Sequence, residues 1–312
     1  MRPATGSRLI RFTTGALISL VLAGLAPWAA AEERQLRVAA PDGVELAVQE
    51  SGNPAGRPIV FIHGLLGSRI NWTAQLKSPQ LQRFRLITYD LRGHGLSDKP
   101  DNEAVYRDGK AWADDLAVVI QATGAQRPVL VGWSLGGVVI SNYLATHGDS
   151  DLAGAVYVDG VIELKADQIS PHPKVYAGLA SQDLPTHLNA VRDFLRLCFQ
   201  HQPDPSSFEQ LLANAAMASW TMTRTVPSMT ALAAEGLPKA QVPMLLIQGR
   251  HDALVMGKPS LARARELNPR VRTLTYENSG HAPFMEESAR FNSDLLHFMK
   301  SAETFAPPSR HN

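Results

Sequence analysis

Short apolar runs, each closed by glycine or a polar residue, recur along this chain with helical patterns between them. The runs are GVELAVQE at 43–50, PIVFIHG at 58–64, FRLITYD at 84–90, PVLVGWS at 128–134, GAVYVDG at 154–160 and VPMLLIQGR at 242–250. A strand that is apolar on both faces must be covered on both faces, and only helices that cross over between parallel strands do this routinely. Trp112, Leu116, Val119 and Ile120 recur at helical spacing, as do Phe291, Leu295, Phe298 and Met299. The spacing therefore predicts an α/β fold: a mostly parallel central sheet with helices on both faces.

The alternation breaks once. From Val161 to about Gln241 no strand pattern is visible, and Phe194, Leu195, Phe199, Phe208, Leu211, Leu212, Met217 and Trp220 lie among prolines at 203, 205, 227 and 238. Flanked by strands of one sheet, such a stretch reads as a helical lid inserted into the core and not as a second domain. The expected organisation is core at 32–160, lid at 161–241 and core again at 242–300. Residues 301–312, which include APPSRHN, show no periodicity and are expected to lack order.

The first residues belong to a different class of segment. Arg2, Arg8 and Arg11 precede an apolar run from Gly15 to Ala26 and the small-residue triplet Ala29-Ala30-Ala31. This is the pattern of a secretory signal peptide spanning 1–31, cleaved after Ala31 to leave a periplasmic or secreted protein. The apolar run is short of the ~20 residues that a spanning helix needs, so the mature chain is expected to hold no stable membrane span. Thirty basic and 29 acidic side chains leave a net charge of +1, which offers no field for nucleic acid or an anionic surface. The expected partner is a small, roughly neutral molecule, and the oligomeric state is not legible. Cys198 is the single cysteine, so no intramolecular disulfide can form, and its apolar neighbours in LRLCFQH predict a buried, inert thiol.

Within this frame Gly132-Trp133-Ser134-Leu135-Gly136-Gly137 is the site signal. A serine between a buried strand and a helix can be thrust out on a sharp turn if its flanking residues are tiny, which is the G-x-S-x-G nucleophile elbow. Serine is a weak nucleophile at neutral pH and needs a histidine base, which in turn needs an acid to fix its tautomer. Asp252 in GRHDALV and His281 in NSGHAPFMEE both follow strand patterns, VRTLTYE being the one before His281, and they stand in the chain order serine, acid, histidine. Strand carboxyl ends are where open α/β sheets collect ligands. Two backbone amides must hold the oxyanion. Leu135, next to the nucleophile, supplies one, and Leu65 in FIHGLLGS is expected to supply the other. His63 in that turn is expected to make a structural hydrogen bond.

Together, Ser134, Asp252 and His281 with HGLLGS, YDLRGHGLSDKP and GHAPFMEE resemble the α/β-hydrolase superfamily, and within it the lid-bearing esterase and non-haem peroxidase-like branch. The resemblance covers about residues 35–160 and 240–299. It implies an α/β-hydrolase fold, a Ser-Asp-His triad and no cofactor, with Asp90, Arg92 and His94 shaping a structural turn. Some members take their triad acid from the position of Asp159, which keeps that residue as an alternative. A serine nucleophile argues against dehalogenase or epoxide hydrolase chemistry. The sequence has no HxH or HExxH metal motif, no phosphate loop and no complete dinucleotide fingerprint. The expected activity is hydrolysis of a small, apolar ester, thioester or lactone. The alternatives are cofactor-free perhydrolysis, carbon–carbon bond hydrolysis, or, outside enzymes, a ligand receptor with a vestigial triad.

Overall fold

A computed structural model describes residues 33–303 together with Met1. Residues 2–32, which hold the rest of the proposed leader, and residues 304–312 lie outside the described residues. Eight strands form one sheet: β1 (Arg34–Ala39), β2 (Glu45–Gly52), β3 (Pro58–Ile62), β4 (Arg85–Tyr89), β5 (Val129–Trp133), β6 (Gly154–Val158), β7 (Met244–Gly249) and β8 (Arg272–Tyr276). Their spatial order is β1-β2-β4-β3-β5-β6-β7-β8. β1 and β2 are antiparallel to each other and β2 is antiparallel to β4, while every pair from β4 to β8 is parallel.

The strands in the middle explain why the sequence pattern was so plain. Every residue of β3, β5, β6 and β7 is buried, because helices cover both faces. At the edge, β1 keeps Arg34, Gln35 and Arg37 exposed and buries Val38 alone, so it shows no continuous apolar run and was not among the expected strands.

Helix Gly109–Thr123 starts where the Asp108 side chain accepts from Lys110 N, and it stops at Gly124 with φ 64°. Its Trp112, Leu116 and Val119 are buried against the sheet layer. Helix Leu135–His147 is buried along its first ten residues, as expected of an element pressed between the sheet and other helices. The last helix, Ser288–Glu303, buries Phe291, Leu295, Phe298, Met299 and also Ala302. It therefore extends through residues 301–303, which were expected to lack order.

Between β6 and β7 the chain forms five α-helices: Pro173–Leu179, Leu184–Leu197, Pro205–Ala215, Trp220–Thr225 and Ala233–Gly236. Their starts follow local chemistry. Asp183 caps Thr186 N, Asp204 caps Ser207 N and Ser219 caps Met222 N, with prolines in the first turns of the two longer helices. Phe194, Leu195, Phe199 and Leu211 are buried, whereas Met217 is exposed. Among the described residues no helix is long and apolar enough to cross a membrane.

Candidate active site

β5 ends at Trp133 and a helix begins at Leu135, leaving Ser134 alone in the turn with φ 54° and ψ −115°. A non-glycine residue with positive φ is strained and persists only where its surroundings hold it. Here Ser134 N donates to Val158 O at 3.1 Å, while Ser134 O accepts from Gly137 N at 2.9 Å and Val161 N at 3.0 Å. The flanking glycines are a steric requirement. A Cβ on Gly132 would sit 2.5 Å from Gly136 O, and a Cβ on Gly136 would sit 2.5 Å from Ile62 O. Both obstacles are backbone. Gly136→Ala should therefore push the helix off β3 and cost about 1–3 kcal/mol, as overpacking does, read as a lower urea midpoint; an unchanged midpoint would show that the turn has slack.

Asp252 lies three residues beyond β7, where its Oδ1 accepts from Leu254 N at 2.8 Å and Val255 N at 2.9 Å. Its Oδ2 faces the other way and accepts from His281 Nδ1 at 2.9 Å and Gln248 Nε2 at 3.1 Å. The Asp252 and His281 side chains are each 1% exposed, although the Asp252 backbone reaches the surface. Burial works against charge on Asp252, but the charge and hydrogen bond of His281 outweigh it and hold the carboxyl below its ordinary value. With Nδ1 committed to Asp252, His281 keeps only Nε2, which has no hydrogen-bond partner among the described residues. The histidine loop is fixed by close approach and by two further bonds. A Cβ on Gly249 would fall 1.8 Å from Gly280 O, Gly280 N donates to Glu286 Oε1 at 2.8 Å, and Trp133 Nε1 donates to His281 O at 2.6 Å. Trp133 thus ties the residue before Ser134 directly to the histidine.

The turn after β3 closes the third side. A Cβ on Gly64 would lie 2.9 Å from Ser134 Cβ, so only glycine lets this turn reach the serine. Leu66 adopts φ 61°, and Gly67 N bonds back to Gly64 O at 3.0 Å. Among the described residues Leu65 N meets no acceptor after this bend. Leu135 N, at the start of its helix, likewise has no intrahelical acceptor. His63 Nδ1 donates to Gly64 O at 2.7 Å and its Nε2 accepts from Leu91 N at 2.9 Å. Burial pushes His63 down to about 4, so it is a neutral strut and not a base.

The other residues singled out by the sequence divide cleanly. Asp90 accepts from Arg69 N, Arg69 Nη1 and Leu96 N, and fully buried Arg92 pairs with Asp115 and Asp42; both therefore hold turns. Cys198 is buried, its thiol donates to Phe194 O at 3.5 Å, and burial pushes its ionisation well up, which makes it inert. Trp220 stacks on His187 with ring centroids 4.3 Å apart, half-buried within the helical segment. Asp159 sits at the carboxyl end of β6 with φ 43° and is fully buried, but its Oδ1 accepts from Gln248 Nε2 and Gly249 N and it makes no bond to His281. Asp159, Asp252 and His281 are also the one trio among the described residues whose ligand atoms lie close enough, within 4.8 Å, to share a metal ion. Asp252 Oδ2 and His281 Nδ1 are bonded to each other at 2.9 Å.

Four contributors were given no role by the sequence: Trp133 and Glu286, which lie within the quoted motifs, and Gln248 and Asn214. Asn214 Nδ2 reaches Leu66 O at 3.4 Å, from a helix 148 residues further along the chain. Such pairings are set by the fold and not by any local pattern.

Residues 57–288 match the profile of the α/β-hydrolase fold family. The chain belongs to the α/β-hydrolase family. A Burkholderia cenocepacia crystal structure, of a protein provisionally assigned as an aryl esterase, is 63% identical and covers 87% of this chain and all of its own, with TM-score 0.87. An esterase from Rhodococcus sp. is 29% identical, with 86% of this chain and 99% of that chain covered and TM-score 0.79. A bifunctional esterase/perhydrolase from Acinetobacter calcoaceticus is 26% identical over 85% of this α/β hydrolase and 99% of its own length. The chain is thus an enzyme of a hydrolase family whose relatives include esterases and peroxidase-like proteins.

Proposed function

We propose that this α/β hydrolase cleaves small carboxylic esters, thioesters or lactones through an acyl-enzyme on Ser134. Ser134 Oγ attacks the carbonyl carbon while His281 Nε2 takes its proton, and the Leu65 and Leu135 amides hold the resulting oxyanion. His281 then gives that proton to the leaving alcohol or thiol, and water repeats the sequence to release the acid. The observation that carries the reading is the buried His281 Nδ1–Asp252 Oδ2 bond at 2.9 Å, which leaves Nε2 as the nitrogen able to take a proton, together with a serine held on a strained turn. Labelling by a fluorophosphonate, lost with Ser134→Ala, tests it; a protein that hydrolyses p-nitrophenyl esters but never labels would overturn it. The Burkholderia relative makes aryl esters the first substrates to try.

A second reading keeps the triad and replaces water by hydrogen peroxide at the acyl-enzyme, giving a peracid. The Acinetobacter esterase/perhydrolase favours it, and peracid formation from acetate ester and peroxide is its measure.

Residues 161–241 act in this reading as a lid that sets substrate choice. Asn214 contacts the turn after β3, and a Cβ on Gly280 would meet Gln200 N at 2.6 Å, so the segment presses on the candidate site from two sides. Trp220→Ala should shift preference along a p-nitrophenyl ester chain-length series, by no more than ~1–3 kcal/mol per methylene. Identical profiles would remove Trp220 from the acyl pocket. Residues 1–31 support export, and the mature enzyme should then begin at Glu32 when its N-terminus is sequenced after secretion.

A further inference from the structure

Two buried carboxyl groups lie together beside His281. Asp159 and Asp252 bring carboxylate oxygens within 4.8 Å of each other, and the single Gln248 amide group donates to both, at 2.6 Å to Asp159 Oδ1 and 3.1 Å to Asp252 Oδ2. Their hydrogen bonds are unequal. Asp252 accepts from two backbone amides, His281 and Gln248, whereas Asp159 accepts from Gly249 N and Gln248 on Oδ1 alone. Asp159 Oδ2 is buried and has no hydrogen-bond partner among the described residues. An ionised carboxylate left with a dry, unpartnered oxygen beside a second carboxylate is strongly disfavoured, and two like charges at this range do not both persist. The charges weighing most on Asp159 are Asp252 and then Glu286 of the turn after His281, both acidic.

We propose that Asp159 is the neutral half of a buried carboxyl pair, a positioning residue whose Oδ2–H donates to Asp252 and holds that carboxylate on His281. The proton gives the orphaned Oδ2 its partner and leaves the pair with one negative charge. Burial, with the Asp252 charge beside it, pushes the Asp159 carboxyl well above the usual carboxylate range, in agreement with the geometry. The role rests on the triad reading above; the protonation does not.

Asparagine is an isostere of the protonated acid: its Oδ1 can accept from Gly249 and Gln248 while its Nδ2 donates to Asp252. Asp159→Asn should therefore keep kcat/KM within the same order of magnitude and leave the acid limb of the kcat/KM profile in place. Asp159→Ala removes the donor and should lower kcat with little change in KM. An ionised Asp159 predicts otherwise, because removing a second anion beside His281 would move the acid limb down by roughly 1–3 pH units. That shift, or an asparagine variant as impaired as the alanine one, overturns the proposal. The direct test needs no turnover. The infrared difference spectrum between the protein and Asp159→Asn at neutral pH should show a protonated carboxylic acid carbonyl band, and should show it equally when both carry Ser134→Ala. Absence of the band with ester hydrolysis intact sinks the neutral pair and leaves the triad standing. The band without any serine-dependent hydrolysis sinks the triad and leaves the pair.

Discussion

Ser134→Ala should abolish ester hydrolysis, with a loss on the order of 10⁶ in kcat as for a triad serine, while the protein stays folded. Alanine keeps the Cβ that packs against the Gly64 turn and the backbone bonds to Val158, Gly137 and Val161, none of which involves Oγ. The strained φ of 54° is carried equally by either residue, so the unfolding midpoint should hardly move. His281→Ala should lose a comparable amount, and the double variant should lose scarcely more than either, because members of a triad act as one unit. Losses that multiplied, or an alanine protein that kept wild-type turnover on aryl and alkyl esters, would mean that the reaction does not pass through Ser134.

The elbow was legible because its requirement is local and severe. Backbone oxygens 2.5 Å from the missing Cβ atoms of Gly132 and Gly136 force glycine at both positions, and that spacing is visible in six letters of sequence. Strands β3, β5, β6 and β7 were equally legible, since burial on both faces writes an uninterrupted apolar run. β1 was not, because an edge strand with one wet face needs only Val38 and half-buried Leu36 to anchor it. The acid was harder to settle. Asp159 and Asp252 both stand just beyond carboxyl ends of neighbouring strands, and the sequence favours Asp252 while keeping Asp159 as the alternative. What separates them is which carboxyl faces an imidazole far along the chain: Asp252 bonds His281 across 29 residues. The tie from Trp133 to the His281 carbonyl, across 148 residues, was invisible for the same reason. Trp220 stacks on His187 within its own segment, a pairing across 33 residues that no local spacing shows.

The bonds around Asp252 also determine how its amide variant will fail. In Asp252→Asn the two backbone donors, Leu254 N and Val255 N, need an acceptor, so the amide oxygen takes the place of Oδ1. The amide nitrogen must then take the place of Oδ2, where it points hydrogens at His281 Nδ1. Imidazole can meet a donor there only by making Nδ1 the acceptor and moving its proton to Nε2. That tautomer cannot take the Ser134 proton. Turnover should fall by ~10⁴, the loss that a wrong imidazole tautomer causes in a serine triad, and the rate of fluorophosphonate labelling should fall with it. Folding should suffer little, because the backbone donors keep their oxygen, although Gln248 Nε2 would now face another donor in place of its 3.1 Å acceptor. Comparing Asp252→Asn with Asp159→Asn by kcat, after confirming equal melting curves, decides which aspartate serves His281. A loss of less than tenfold at Asp252, or a larger one at Asp159, would move the acid to the end of β6.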